Sequence, residues 1–310
     1  MHVTHPAVVG TSSPGHRVPA PVLFIGSGTA QYVGAAVAVG LFMQLGPGSV
    51  AWLRVAVASI VLLAWARPWR QAWTRRALVG TALFGVVLAG MNVTFYLAID
   101  RLPLGTAVAI EFVGPVAVAA ITGRGWRERA GIGLAAAGVV LLAGITLRDG
   151  GPEVRLGLVF IGAAAMLWAG YIVLGRRAAH RGTGVGPLSV AMTAGTIAFA
   201  PFFAGSLGTV VGDARLAGAV VLVALFSSVV PYAIEQVVLR RVSAATFAIL
   251  LAMLPATAAA VGAVALRQWP QPVDLVGLAL VSGAIILTTA RPPMTRTVVE
   301  PAAPRGSSGY

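Results

Sequence analysis

The chain has 310 residues, of which 58% are hydrophobic and 10% charged, and its mean hydropathy is +0.88. A soluble domain carries about 25% charged residues, so an ordinary aqueous core is excluded and a polytopic α-helical membrane protein is indicated. The net charge of +13 comes from 22 basic residues, all Arg, clustered between apolar stretches; that placement orients membrane helices and argues against a nucleic-acid partner.

In chain order, residues 1–20 read as a cytoplasmic tail containing a single Arg, Arg17. The first apolar stretch is long enough to span and has no clear small-residue cleavage site after it, so it reads as a retained helix. Ten spans are expected near 21–43, 49–66, 77–99, 104–122, 131–147, 156–175, 188–206, 216–238, 244–266 and 273–290. "GSGTAQ" (Gly26–Gln31) lies inside the first of these, so its glycines are not a nucleotide loop. Residues 291–310, with four prolines, read as a second cytoplasmic tail.

With the N-terminus inside, 16 arginines fall in inner segments and five in outer loops, while Arg54 lies within the second span. The split predicts that both termini are cytoplasmic. The class expected is an integral membrane protein of a bacterial cytoplasmic (inner) membrane, with the lipid bilayer as its surroundings.

An internal repeat is visible at an offset of 140 residues. "GPGSVA" from Gly46 matches "GPLSVA" from Gly186, and "RLPLGTAVAIEFVGPVAVAA" from Arg101 matches "RVSAATFAILLAMLPATAAA" from Arg241. The second pair aligns Thr106 with Thr246 and Pro115 with Pro255. Five spans per copy is an odd number, so the second copy enters the membrane inverted. Two inverted five-helix repeats, 21–147 and 156–290, form a transporter architecture with its substrate site near the midplane between the copies.

Three charges fall inside spans: Arg54, Glu111 and Glu235. A charge at the bilayer centre costs about 2.5–3.5 kcal/mol or more, so such residues face the bundle interior or a wet cavity. Glu111 is followed within one turn by Gly114 and Pro115, which predicts a helix break there; Pro255 predicts another in the second copy. A carboxylate beside a break can bind an ammonium group or carry a proton; the alternative is a structural glutamate, neutral or paired with Arg54. Arg54 can hold a substrate carboxylate in its planar fork, or else reach the outer interface or bond a helix terminus. Together the two charges suit a zwitterion. Glu235 has Arg240 and Arg241 close behind it, which suits either an interfacial ion pair or an inner gate. Gln31, Asn92, Tyr96, Trp168, Tyr171 and Tyr232 are candidate substrate contacts, although helix–helix bonding is the commoner use of buried amides.

Other chemistries find little support. Without Cys there are no thiolate sites, and without Lys there is no Walker-type loop or Schiff base. The four histidines lie in the tail and one loop with no catalytic arrangement, so no metal, cofactor or enzymatic activity is expected. A membrane-embedded enzyme or sensor is the remote alternative to a transporter.

The stretches "MNVTFYLAIDRLPLGTAVAIEFVGPVAVA" (from Met91), "LWAGYIVLGRR" (from Leu167), "PYAIE" (from Pro231) and "SVAWLR" (from Ser49), together with Gln31, resemble the drug/metabolite transporter superfamily with its paired EamA-type domains. Within it, the threonine/homoserine exporter branch is the most similar. The resemblance spans everything between the tails. It implies export of a small amino acid or related metabolite, by exchange for protons, and points to Glu111, Arg54, Gln31, Asn92 and Tyr96. Export of another metabolite or a drug on the same fold is the nearer alternative. Two departures stand out: Leu254 precedes Pro255, and Gln268 follows the ninth span, where members of the family often carry acids.

Overall fold

The computed structural model describes residues 19–123, 125–179, 185–231, 234, 238, 242 and 244–289. Every regular element among them is helical. Helix α1 spans Ala20–Leu45, α2 Pro47–Ala66, α3 Arg75–Ile99, α4 Leu104–Glu111, α5 Val113–Thr122 and α6 Trp126–Asp149. Then come α7 (Pro152–Ala179), α8 (Val185–Phe203), α9 (Ser206–Gly212), α10 (Ala214–Ala224) with a π-helical turn at Leu225–Val229, α11 (Ala244–Ala252), α12 (Leu254–Leu266) and α13 (Pro272–Thr289).

Local chemistry sets the boundaries. Gly46 adopts φ +75° and Pro47 starts α2, so α1 and α2 are joined by one tight corner. The Thr74 hydroxyl caps α3 by accepting from the Ala77 N–H at 3.2 Å. Asp213 caps α10 by accepting from the N–H groups of Arg215 and Leu216. Inside the helices, hydroxyls such as Thr94, Thr146 and Thr193 donate to the carbonyl four residues back, which satisfies them without water.

Among the described residues, eight stretches are long and apolar enough to cross a membrane, or nine if the bent α9–α10 pair is one span. The segment near α13 is a shorter apolar helix. Against the ten expected, the difference lies in the last third of the chain. The eighth span, expected over 216–238, begins in α10 after a 112° bend from α9, carries the π-helical turn, and runs on into residues outside the described ones. In the spans that hold Pro115 and Pro255 the helix is interrupted at Phe112 and Met253, upstream of each proline, whereas α8 runs through Pro201.

Large apolar side chains such as Met43, Ile121, Val211 and Val264 are four-fifths exposed or nearly so. A surface of that kind suits lipid. The interior is held by close crossings of small residues. A Cβ on Gly85 of α3 would lie 1.8 Å from the Ala191 carbonyl oxygen of α8, and one on Gly114 of α5 would lie 2.1 Å from that of Ala165 on α7. Only glycine permits these approaches, which pack α3 on α8 and α5 on α7. Helices α2 and α8, α4 and α12, α6 and α13, α3 and α7, and α1 and α12 are also packed pairs.

Candidate functional site

A cavity of about 200 Å³ lies within the bundle. Gln31 of α1, Arg54 of α2, Asn92 of α3, Glu111 of α4, and Trp168 and Tyr171 of α7 all line it. Six side chains singled out in the sequence are therefore brought to one place. Tyr96 is not part of the lining; it is fully buried behind Arg54. Glu235 and Tyr232 lie outside the described residues.

The lining also includes Leu254, which the sequence marked as a departure from the family pattern, and residues that carried no signal of their own: Tyr32, Met91, Phe95, Phe112, Ser227 and Leu251. An apolar side chain in an apolar span has nothing to mark it. The 140-residue offset is the one feature that points to Leu251, since it is the counterpart of Glu111.

The two breaks place these counterparts. Proline has no N–H, so Pro115 leaves the Glu111 carbonyl without its usual donor four residues on, and Pro255 does the same to Leu251. Helix α4 stops at Glu111 and α11 at Ala252, and both Glu111 and Leu251 face the cavity.

Arg54 and Glu111 are each more than nine-tenths buried. They share the cavity, yet no ion pair joins them; the ion pairs among the described residues are those of Arg101 with Asp100 and with Glu153. The Arg54 guanidinium donates from Nη1 to the Tyr96 hydroxyl at 3.2 Å, and its Cζ lies 4.8 Å from the centre of the Tyr96 ring. Its Nε is buried with no hydrogen-bond partner. An unsatisfied buried donor costs about 1–3 kcal/mol, and more when charged, so an acceptor delivered to this guanidinium is strongly favoured. Tyr96 thus holds one arm of the fork.

The other polar groups are partly committed. Asn92 donates from Nδ2 to the Leu88 carbonyl of its own helix at 2.8 Å. Trp168 meets Phe112 edge-on with centroids 4.7 Å apart, and Tyr171 stacks on Phe84 at 4.6 Å. These aromatic pairs fix two walls of the cavity in rigid geometry. Chemically, the site offers one cation, one anion, amides and aromatic faces in a space the size of a small metabolite. Among the described residues no group of His, Cys, Asp and Glu could hold a metal ion.

The comparison with known proteins decides the family. The model of the EamA-like transporter family matches residues 155–290. The threonine/homoserine exporter RhtA of Escherichia coli (strain K12) is 34% identical over 255 residues, which is 82% of this chain and 84% of that protein. The chain belongs to the EamA-like transporter family. RhtA of Salmonella typhimurium (strain LT2) is 32% identical over 286 residues, covering 91% of this chain and 95% of its own length. A protein crystal structure, 20% identical, superposes with a TM-score of 0.56 over 87% of this chain and 98% of its own, a likeness in fold alone. As a member of the EamA-like family, this multi-pass membrane protein belongs with transporters and not with enzymes.

Proposed function

We propose that this EamA-like transporter exports small amino acids such as threonine and homoserine across a bacterial inner membrane in exchange for protons. The observation that carries the reading is the pair of unjoined, opposite charges in one buried cavity. A zwitterionic amino acid places its carboxylate on Arg54 and its ammonium on Glu111, satisfying both at once. The name of the RhtA relatives supports the same substrate class.

Exchange follows from the single anion. With substrate bound, Glu111 is charge-compensated by the ammonium; without it, a proton takes that place, since a bare carboxylate in a low-dielectric cavity is costly. The carrier returns protonated and leaves loaded, which couples amino acid to proton in opposite directions. Asn92 and Gln31 complete the polar lining, and Trp168 and Tyr171 exclude water from the remainder. Glu235 belongs to the inner gate in this scheme.

The helix pairing supports ten spans in two inverted repeats, 21–147 and 156–290, between tails 1–20 and 291–310. If α1 corresponds to α7, α2 to α8, α3 to α10, α4 to α11, α5 to α12 and α6 to α13, then α2–α8 and α6–α13 are self-matched pairs. Three further contacts are reciprocal: α3–α7 answers α10–α1, α3–α8 answers α10–α2, and α5–α7 answers α12–α1. Rocking one repeat against the other exposes the cavity to each side in turn. The arginine bias supports cytoplasmic termini.

Purified protein in proteoliposomes, loaded with unlabelled threonine, tests the function by counterflow of labelled threonine and homoserine. Uptake above protein-free vesicles is expected; its absence for both amino acids would remove the assignment.

A further inference from the structure

The charges of the cavity, Arg54 and Glu111, both come from the first copy, whereas among the described residues the second copy brings hydroxyls at Tyr171 and Ser227, the Trp168 ring and the aliphatic Leu251 and Leu254. Leu251 stands where the offset places the counterpart of Glu111, so the second half of the site has no charge to offer a substrate at that position. An amino acid held by Arg54 and Glu111 therefore points its side chain toward these two leucines and Trp168.

Leu254 has a neighbour that sets its position. A Cβ built on Gly28 of α1 would lie 2.8 Å from Leu254 Cδ2 and 3.8 Å from Thr257 Cγ2. Gly28 is buried and is not in the cavity lining. The leucine tip thus rests against a glycine on one side and borders the cavity on the other. Any side chain at 28 meets the mobile end of Leu254, not backbone, and the free space available to that end is the cavity. This gives Gly28 of "GSGTAQ" a role that is unconnected with phosphate binding.

We propose that Leu251 and Leu254 form the wall that recognises the substrate side chain, and that Gly28 is a positioning residue whose lack of a Cβ holds Leu254 back and sets the largest side chain accepted. The inference rests on the amino-acid reading above and deepens it: the substrate class is amino acids with small, partly aliphatic side chains, limited in size by Leu254.

The test is threonine counterflow in proteoliposomes, with alanine, threonine, valine, leucine and methionine as competitors. In the wild type, leucine and methionine compete poorly. Leu254→Ala is expected to strengthen their competition roughly tenfold while threonine still exchanges, since one or two methylenes in an apolar pocket are worth about that much. Gly28→Ala is expected to raise the threonine KM roughly tenfold and alanine much less. The double variant Gly28→Ala/Leu254→Ala is expected to return threonine KM to near the wild-type value, a rescue that a general packing defect would not show. Leu254→Val, with a smaller shift in the same direction, replaces Leu254→Ala should the latter not be recovered as a monodisperse protein. Threonine exchange with an unaltered size profile in both Leu254 variants, or a Gly28→Ala defect that persists in the double variant, would overturn the proposal and leave amino-acid transport standing. No exchange of any amino acid by folded wild type would overturn both.

Discussion

Tyr96 is the sharpest probe of the Arg54 assignment, because it is fully buried and outside the cavity lining, so its influence on transport passes through Arg54. Tyr96→Phe deletes the hydroxyl that accepts from Arg54 Nη1 at 3.2 Å but keeps the ring 4.8 Å from Cζ. Hydrogen bonds involving a charge contribute about 1.5–3 kcal/mol, and this one is long, so the lower end of that range applies. The expected result is a rise in threonine KM of about tenfold. Tyr96→Leu also removes the cation–π contact, worth about 2 kcal/mol when desolvated, and is expected to raise KM by about a further 30-fold. The assay is initial-rate counterflow at matched protein, with KM and maximal rate resolved. Threonine methyl ester, which has no carboxylate for Arg54, serves as a control competitor whose inhibition both variants leave unchanged. An unaltered threonine KM in Tyr96→Leu, or equal weakening of threonine and its ester, would refute a carboxylate role for Arg54.

Arg54→Lys keeps the charge but loses the planar fork, and is expected to raise threonine KM by at least about tenfold in the same assay. Gly114→Ala drives a methyl against the Ala165 carbonyl of α7, where backbone cannot yield; a loss of about 1–3 kcal/mol in stability is expected, read as a lower melting temperature in detergent. Gln268 accepts from the Leu104 N–H at 2.9 Å and caps α4, for which Pro103 offers no side chain. Gln268→Leu is expected to cost about 1 kcal/mol, whereas Gln268→Glu, which keeps the acceptor, leaves the melting temperature close to the wild type.

Charge made much of the site legible. Arg54 and Glu111 are conspicuous in apolar spans because the bilayer penalises them, and the structure brings both to one cavity. Amides and aromatics at Gln31, Asn92, Trp168 and Tyr171 followed on weaker grounds and line the same space. Tyr96 was legible as a residue of interest but not in its position, since nothing local distinguishes a substrate contact from a support behind one. Leu251 was invisible for the opposite reason, since its apolarity is what every neighbour shares, and Leu254 was marked only as a departure from the family pattern, not as part of the lining. Near Pro115 and Pro255 the interruption of the helix lies two or three residues before the proline, because a missing N–H frees a carbonyl one turn upstream. The short helix α9, bent from α10 at Asp213, lies in what the sequence marks as the loop between the seventh and eighth spans, and neither it nor the π-helical turn at Leu225–Val229 has a comparable marker.

The central claim is that the Glu111 carboxylate couples amino-acid movement to protons, and gradient-driven uptake tests it most directly. Proteoliposomes holding wild type or Glu111→Gln at matched levels are given an acidic interior, and accumulation of labelled threonine is followed. The account predicts transient accumulation by the wild type that collapses when a protonophore is added, and none above protein-free vesicles for Glu111→Gln. Accumulation by Glu111→Gln equal to that of the wild type, with the same protonophore sensitivity, would contradict it.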